Sequence, residues 1–103
     1  MKPKRLINNT SNKYVEELTA KVLNCTKRDC FTTSTDFVVI EDYDLDRIYL
    51  DIDGYEYVIR TWDIEDKKKI IYIRWSLYYY NNQKNKSETL NSGVTHLSIK
   101  EEK

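Results

Sequence analysis

The spacing of apolar positions changes once along this chain, from a helical period to an alternating one. Between Lys13 and Asn24, Tyr14, Val15, Leu18, Val22 and Leu23 recur at helical intervals. Asn12 suits the N-cap, and Glu16 and Glu17 stand near the positive end of the helix dipole. One amphipathic helix is expected over residues 13–24, its apolar stripe turned to the core. From Phe37 onward the period is two. Phe37–Ile40 reads as a strand, and Arg47–Ile52 alternates strictly, with Ile48, Leu50 and Ile52 on one face and Arg47, Tyr49 and Asp51 on the other. Asp53-Gly54 supplies residues that tolerate positive φ, so Tyr55–Trp62 should return antiparallel through a tight hairpin. A further turn at Glu65–Lys68 leads into a strand from Lys69 to Tyr79, and Val94–Ile99 closes the sheet. The polar stretches 1–11 and 81–93 read as a loose basic arm and a mobile loop.

These elements predict a single α+β domain spanning residues 1–103, one N-terminal helix packed on an antiparallel β-meander of about five strands. Such a plan leaves a surplus of apolar surface. Tyr57 and Ile59 oppose Val58 and Trp62 across one strand, and Ile71, Ile73 and Trp75 oppose Ile70 and Tyr72 across the next. One short helix covers one face only. The second face must be shielded by the arm, by curvature, by a second copy in a homodimer, or by a partner.

Composition agrees with a globular chain: 103 residues, 40% apolar and 33% charged, with nine tyrosines. The formal net charge of zero conceals segregation. Residues 1–35 hold seven Lys/Arg against three Asp/Glu, residues 36–66 two against eleven, and residues 67–103 eight against three. No run of apolar residues is long enough to cross a membrane, and Met1–Ile7 is followed by polar Asn8-Asn9-Thr10 rather than by an apolar export segment. A cytoplasmic location, the cytosol of a host cell included, is therefore expected, with Cys25 and Cys30 as reduced thiols.

Candidate chemistry is sparse. Cys25 and Cys30 are spaced like a pair of zinc thiolates, and His96, the only histidine, offers a third ligand; two ordinary thiols are the alternative. Asp42, Asp44, Asp46 and Asp53 imitate a calcium loop, but Arg47 stands where its glycine is needed. Only Gly54 and Gly93 are glycines, which argues against a phosphate-cradling loop; a Cys-His dyad using His96 is the single nucleophile-base candidate, and no glycine-rich turn or oxyanion-hole segment accompanies it. No enzymatic activity, catalytic residue or cofactor is expected, zinc apart.

The acidic third is the feature that asks for a function. Asp42, Asp44, Asp46, Asp51, Asp53, Glu56, Asp63, Glu65 and Asp66 crowd together, and the parity of Asp42, Asp44 and Asp46 would drive them into the core unless the chain turns between Glu41 and Asp46. Carboxylates gathered at turns and on one strand face attract a basic groove on another protein and repel nucleic acid. Alternate carboxylates on an extended strand stand roughly 6.5–7 Å apart, on the scale of backbone phosphates. In size, in Asn/Lys/Ile/Tyr-rich wording, in the segment Asp51-Ile52-Asp53-Gly54-Tyr55-Glu56-Tyr57-Val58-Ile59 and in the charged ending Leu97–Lys103, the chain resembles the small anti-CRISPR proteins that phages direct against type II-A systems. That resemblance implies a non-enzymatic inhibitor that acts as a nucleic-acid mimic on the basic groove of a host effector such as Cas9. The alternative is a nucleic-acid binder using Lys2, Lys4 and Arg5 together with Lys67–Lys69 and exposed tyrosines.

Overall fold

The structure, a computed structural model, describes residues 5–31, 36–67, 70–81 and 83–98, with the side chains of 63–67, 70 and 98 left aside. The chain runs β1 (Arg5–Asn8), α1 (Lys13–Cys25), a 3-10 turn (Arg28–Cys30), β2 (Phe37–Tyr43), β3 (Arg47–Ile52), β4 (Tyr55–Lys67), β5 (Ile70–Asn81) and β6 (Lys86–Ser98). All six strands form one sheet in sequence order, β1 parallel to β2 and the other pairs antiparallel. The α+β plan with an early helix holds; the sheet is mixed and has six strands rather than about five.

Several segments differ from the sequence reading. The turn expected at Glu65–Lys68 is strand as far as Lys67, since Glu65, Asp66 and Lys67 pair with Tyr72, Ile71 and Ile70. The arm expected over 1–11 contributes a strand, since Arg5–Asn8 aligns with Phe37–Ile40 and is pinned by Arg5 N–H to Asp36 O (2.9 Å) and Asn9 N–H to Ile40 O (3.0 Å). Residues 1–4 of that arm lie outside the described residues. The loop expected over 81–93 shrinks to a turn at 83–85, because Lys86 onward pairs with β5 from Asn81 back to Ile70. A bulge between Leu77 and Tyr78 leaves Leu90 out of register and breaks the alternation that would have revealed a strand.

Helix α1 begins where its polar entry dictates. Asn12 Oδ1 accepts from Val15 N–H (3.2 Å), and Asn8 Nδ2 donates to Asn12 O (2.9 Å) and to Glu16 Oε2 (3.2 Å), so Asn8-Asn9-Thr10 is a helix entry and not a slack tail. Val15, Leu18, Val22 and Leu23 are buried on its inner face, each worth about 1.5–3 kcal/mol relative to exposure. Tyr14, counted in the same stripe, stays at the rim with 38% exposure.

The helix covers one face of the sheet. Beneath it lie Val38 and Ile40 of β2, Ile48, Leu50 and Ile52 of β3, Tyr57 and Ile59 of β4, Ile73, Trp75 and Leu77 of β5 and Leu97 of β6, all buried. Gly93 sits opposite Trp75, where an added Cβ would come within 3.2 Å of the indole Cζ2. The Asp53-Gly54 turn forms as predicted, with φ of 54° and 84°. No described helix is long and apolar enough to cross a membrane.

Candidate functional site

No described element lies over the other face of the sheet. Pairing across the strands arranges its side chains in rows. One row reads Val39, Asp51, Glu56; the next Asp42, Tyr49, Val58, Tyr78, Thr89; the third Arg47, Arg60, Ser76, Ser92; and a fourth Trp62, Arg74, Val94. Most of these residues are half-buried or exposed, in contrast with the sealed helix side. Two hollows open on the face. One of about 590 Å³ is lined by Glu41, Asp42, Asp44, Tyr49, Glu56 and Tyr80, among others. One of about 330 Å³ is lined by Arg47, Tyr49, Val58, Arg60, Tyr78 and Ser87. Tyr49, Val58 and Ser87 border both, so the hollows form one concave track, acidic at one end and arginine-bearing at the other.

Charge on this face is sorted by sign. Asp51 stands directly across from Glu56, and Arg47 directly across from Arg60. Each is a like-charge cross-strand pair, an arrangement that destabilises a sheet. Four residue steps along the strand separate the two pairs, about 13 Å. Local contacts soften the strain: Asp51 Oδ1 accepts from Gly54 N–H (2.8 Å), and Asp46 lies 3.8 Å from the Arg60 guanidinium, which also stacks over the Trp62 ring at 5.5 Å. Asp46 and Arg60 are both solvent-exposed in part, so their ion pair contributes little beyond placing the arginine.

Most of the acidic residues singled out in the sequence are where parity required. Asp51 and Glu56 share the open face, Asp53 sits exposed in the hairpin turn, and Asp44 and Asp46 are exposed in the β2–β3 connection. Asp42 reaches the open face by another route. A bulge between Ile40 and Asp42 resets the alternation, so the strand continues to Tyr43 and the turn is confined to Asp44–Asp46. Asp44 is fixed there by its N–H on Arg47 O (2.7 Å) and accepts from the Tyr49 hydroxyl (3.4 Å). Asp63 falls in the β4 bulge between Trp62 and Glu65, and Glu65 and Asp66 pair by backbone with Tyr72 and Ile71; the side chains of all three lie outside the described residues.

The remaining candidates are scattered. Cys25 ends the helix on one side of the sheet, while His96 faces the other side, its ring 6.0 Å from that of Tyr72. Cys30 follows in the 3-10 turn, and among the described residues no group of three His, Cys, Asp or Glu is placed to hold a metal ion. Of the alternative basic set, Lys2, Lys4, Lys68 and Lys69 lie outside the described residues, and Arg5 packs its guanidinium over Phe37 at 5.7 Å. The open-face residues that sequence reasoning passed over are Arg47, Arg60 and Tyr80. Their signal was present in the parity they share with Tyr49, Val58 and Tyr78. Compared with models of protein families, with curated proteins and with solved structures, the chain matches none.

Proposed function

We propose that this chain is a non-enzymatic binding protein whose open sheet face docks, acidic end foremost, on a basic nucleic-acid-binding surface of another protein and thereby inhibits it. One observation carries the reading: Asp42, Asp44 and Glu56 line a hollow with Tyr49 and Tyr80, and Asp51 stands across from Glu56, on a concave face that no described element covers. Like charges opposed across strands lower stability, and a partner that neutralises them recovers that cost on binding. Tyrosines among carboxylates supply contact area at small entropic cost and a hydroxyl that can stay hydrated. A phage-encoded inhibitor of a Cas9-type effector in the host cytosol fits this chemistry, and the resemblance in wording points the same way.

The test is competition for such an effector. Labelled DNA bound to a Cas9-type nuclease should be displaced by the chain at low salt, less so as salt rises. The double substitution Asp42→Lys/Asp44→Lys should weaken displacement by at least about tenfold, a loss of roughly 1.4 kcal/mol. Reversing Lys13 and Lys27, exposed at the two ends of helix α1 on the covered side of the sheet, should change it by less than about twofold. Equal losses from both double variants would refute the assignment to the acidic end.

A further inference from the structure

We propose that the outer edge of β6 is a self-pairing site, at which Ser92–His96 of two copies join as antiparallel strands about a twofold axis through Val94. The direction of the edge groups comes from two hydrogen bonds that leave the sheet. Ser92 N–H donates to Asn91 Oδ1 (2.9 Å), and His96 O accepts from Lys21 Nζ (2.7 Å). The Ser92 N–H has one hydrogen and gives it to a side chain, so it points away from β5, and the two-residue alternation of the regular register from Ser76↔Ser92 to Tyr72↔His96 turns the N–H and C=O of Val94 and His96 the same way, in keeping with the Lys21 contact. In a duplex centred on Val94, Ser92 N–H meets His96 O of the second copy. These are the same two groups that Asn91 and Lys21 now occupy with substitutes.

The edge also lacks the usual protection against pairing. No Asp, Glu, Lys or Arg occurs from Thr89 to Ser98, the register is free of bulges between Asn91 and Ser98, and Val94 is 63% exposed. In the twofold register Val94 packs on its counterpart, His96 lies by Ser92 and Gly93 by Thr95, so no like charges oppose each other. The other edge is unsuited: β1 has four residues and opens with the exposed Arg5. Lys21 restrains the pairing, because two ammonium groups meet at the seam and must swing aside. With the axis normal to the sheet, both helices lie on one side and both open faces on the other. The dimer therefore leaves the acidic face free, and its existence does not depend on the function proposed above.

Sedimentation equilibrium from about 10 µM to about 1 mM tests it, since so small a contact predicts a dissociation constant within that range. The native chain should dimerise there, Lys21→Met should tighten the dimer by about tenfold, and Val94→Lys should leave only monomer while melting like the native protein. If Val94→Lys does not fold, amide exchange of the native chain decides: protection at Val94 should rise with concentration. A monomer throughout for both the native chain and Lys21→Met would overturn the proposal. So would a dimer that Val94→Lys leaves intact, or a Val94 amide indifferent to concentration.

Discussion

At the scale of single residues, the open face accepts energetic costs that the helix-facing side does not. Glu56 opposes Asp51 with no cation bonded to either among the described ion pairs, so removing one charge should stabilise the fold. Glu56→Gln is expected to raise the unfolding free energy by about 0.2–1 kcal/mol, read from urea denaturation, while weakening partner binding. A destabilised Glu56→Gln would show that the carboxylate serves the fold instead. Tyr14 offers a second residue-level test. Burial raises its phenol above the ordinary value, so the folded state prefers the neutral form more strongly than the unfolded chain does. The sign follows: the preference contributes fully below the unfolded-state pKa and is lost as pH rises through the folded one. Tyr14→Phe should therefore flatten the decline of stability on the alkaline side, measured by melting temperature against pH, and leave neutral pH nearly unchanged.

At the scale of elements, legibility followed the strength of the local signal. The β3–β4 hairpin was readable because strict alternation ran into Asp53-Gly54, and both turn residues adopt the positive φ expected of them. Helix α1 was readable from Val15, Leu18, Val22 and Leu23. Strand β6 was not: Ser87, Asn91, Ser92 and Gly93 look like loop wording, and the bulge at Leu90 sets its apolar residues out of phase. Its first half is held by pairing to β5, a long-range condition that local spacing does not encode. Strand β1 was missed because four residues beside a parallel neighbour give no periodicity to read. The candidate site was legible where parity was unbroken, at Tyr49, Asp51 and Glu56, and obscured at Asp42, where a bulge did the work assigned to a turn. Gly93 illustrates the cost of a wrong element. Read as a loop end it should tolerate substitution; placed against Trp75 it should not. Gly93→Val is expected to destabilise by about 1–3 kcal/mol through overpacking, and a urea midpoint equal to that of the native chain would contradict the close approach.

At the scale of the whole molecule, the fold converts a segregated sequence into a two-sided slab: one face sealed by α1, one face open, and two edges of unequal length. That asymmetry should appear in amide exchange measured on dilute protein. Amides of β4 and β5 that face each other across this interior pair, such as those around Ile59 and Leu77, lie over the buried core and should open only with global unfolding. Those of β1 should exchange through local fraying, because its four residues have one neighbour and bury little. Strand β6 should alternate, Gly93, Thr95 and Leu97 slow through their bonds to β5, Ser92, Val94 and His96 fast at the solvent edge. The alternation is the discriminating part, since uniform fraying of an edge strand would make all six fast and a covered edge would make all six slow. An inverted pattern, with Val94 slow and Gly93 fast, would mean that the strand presents its other set of amides to the outside and that the register with β5 is shifted by one residue.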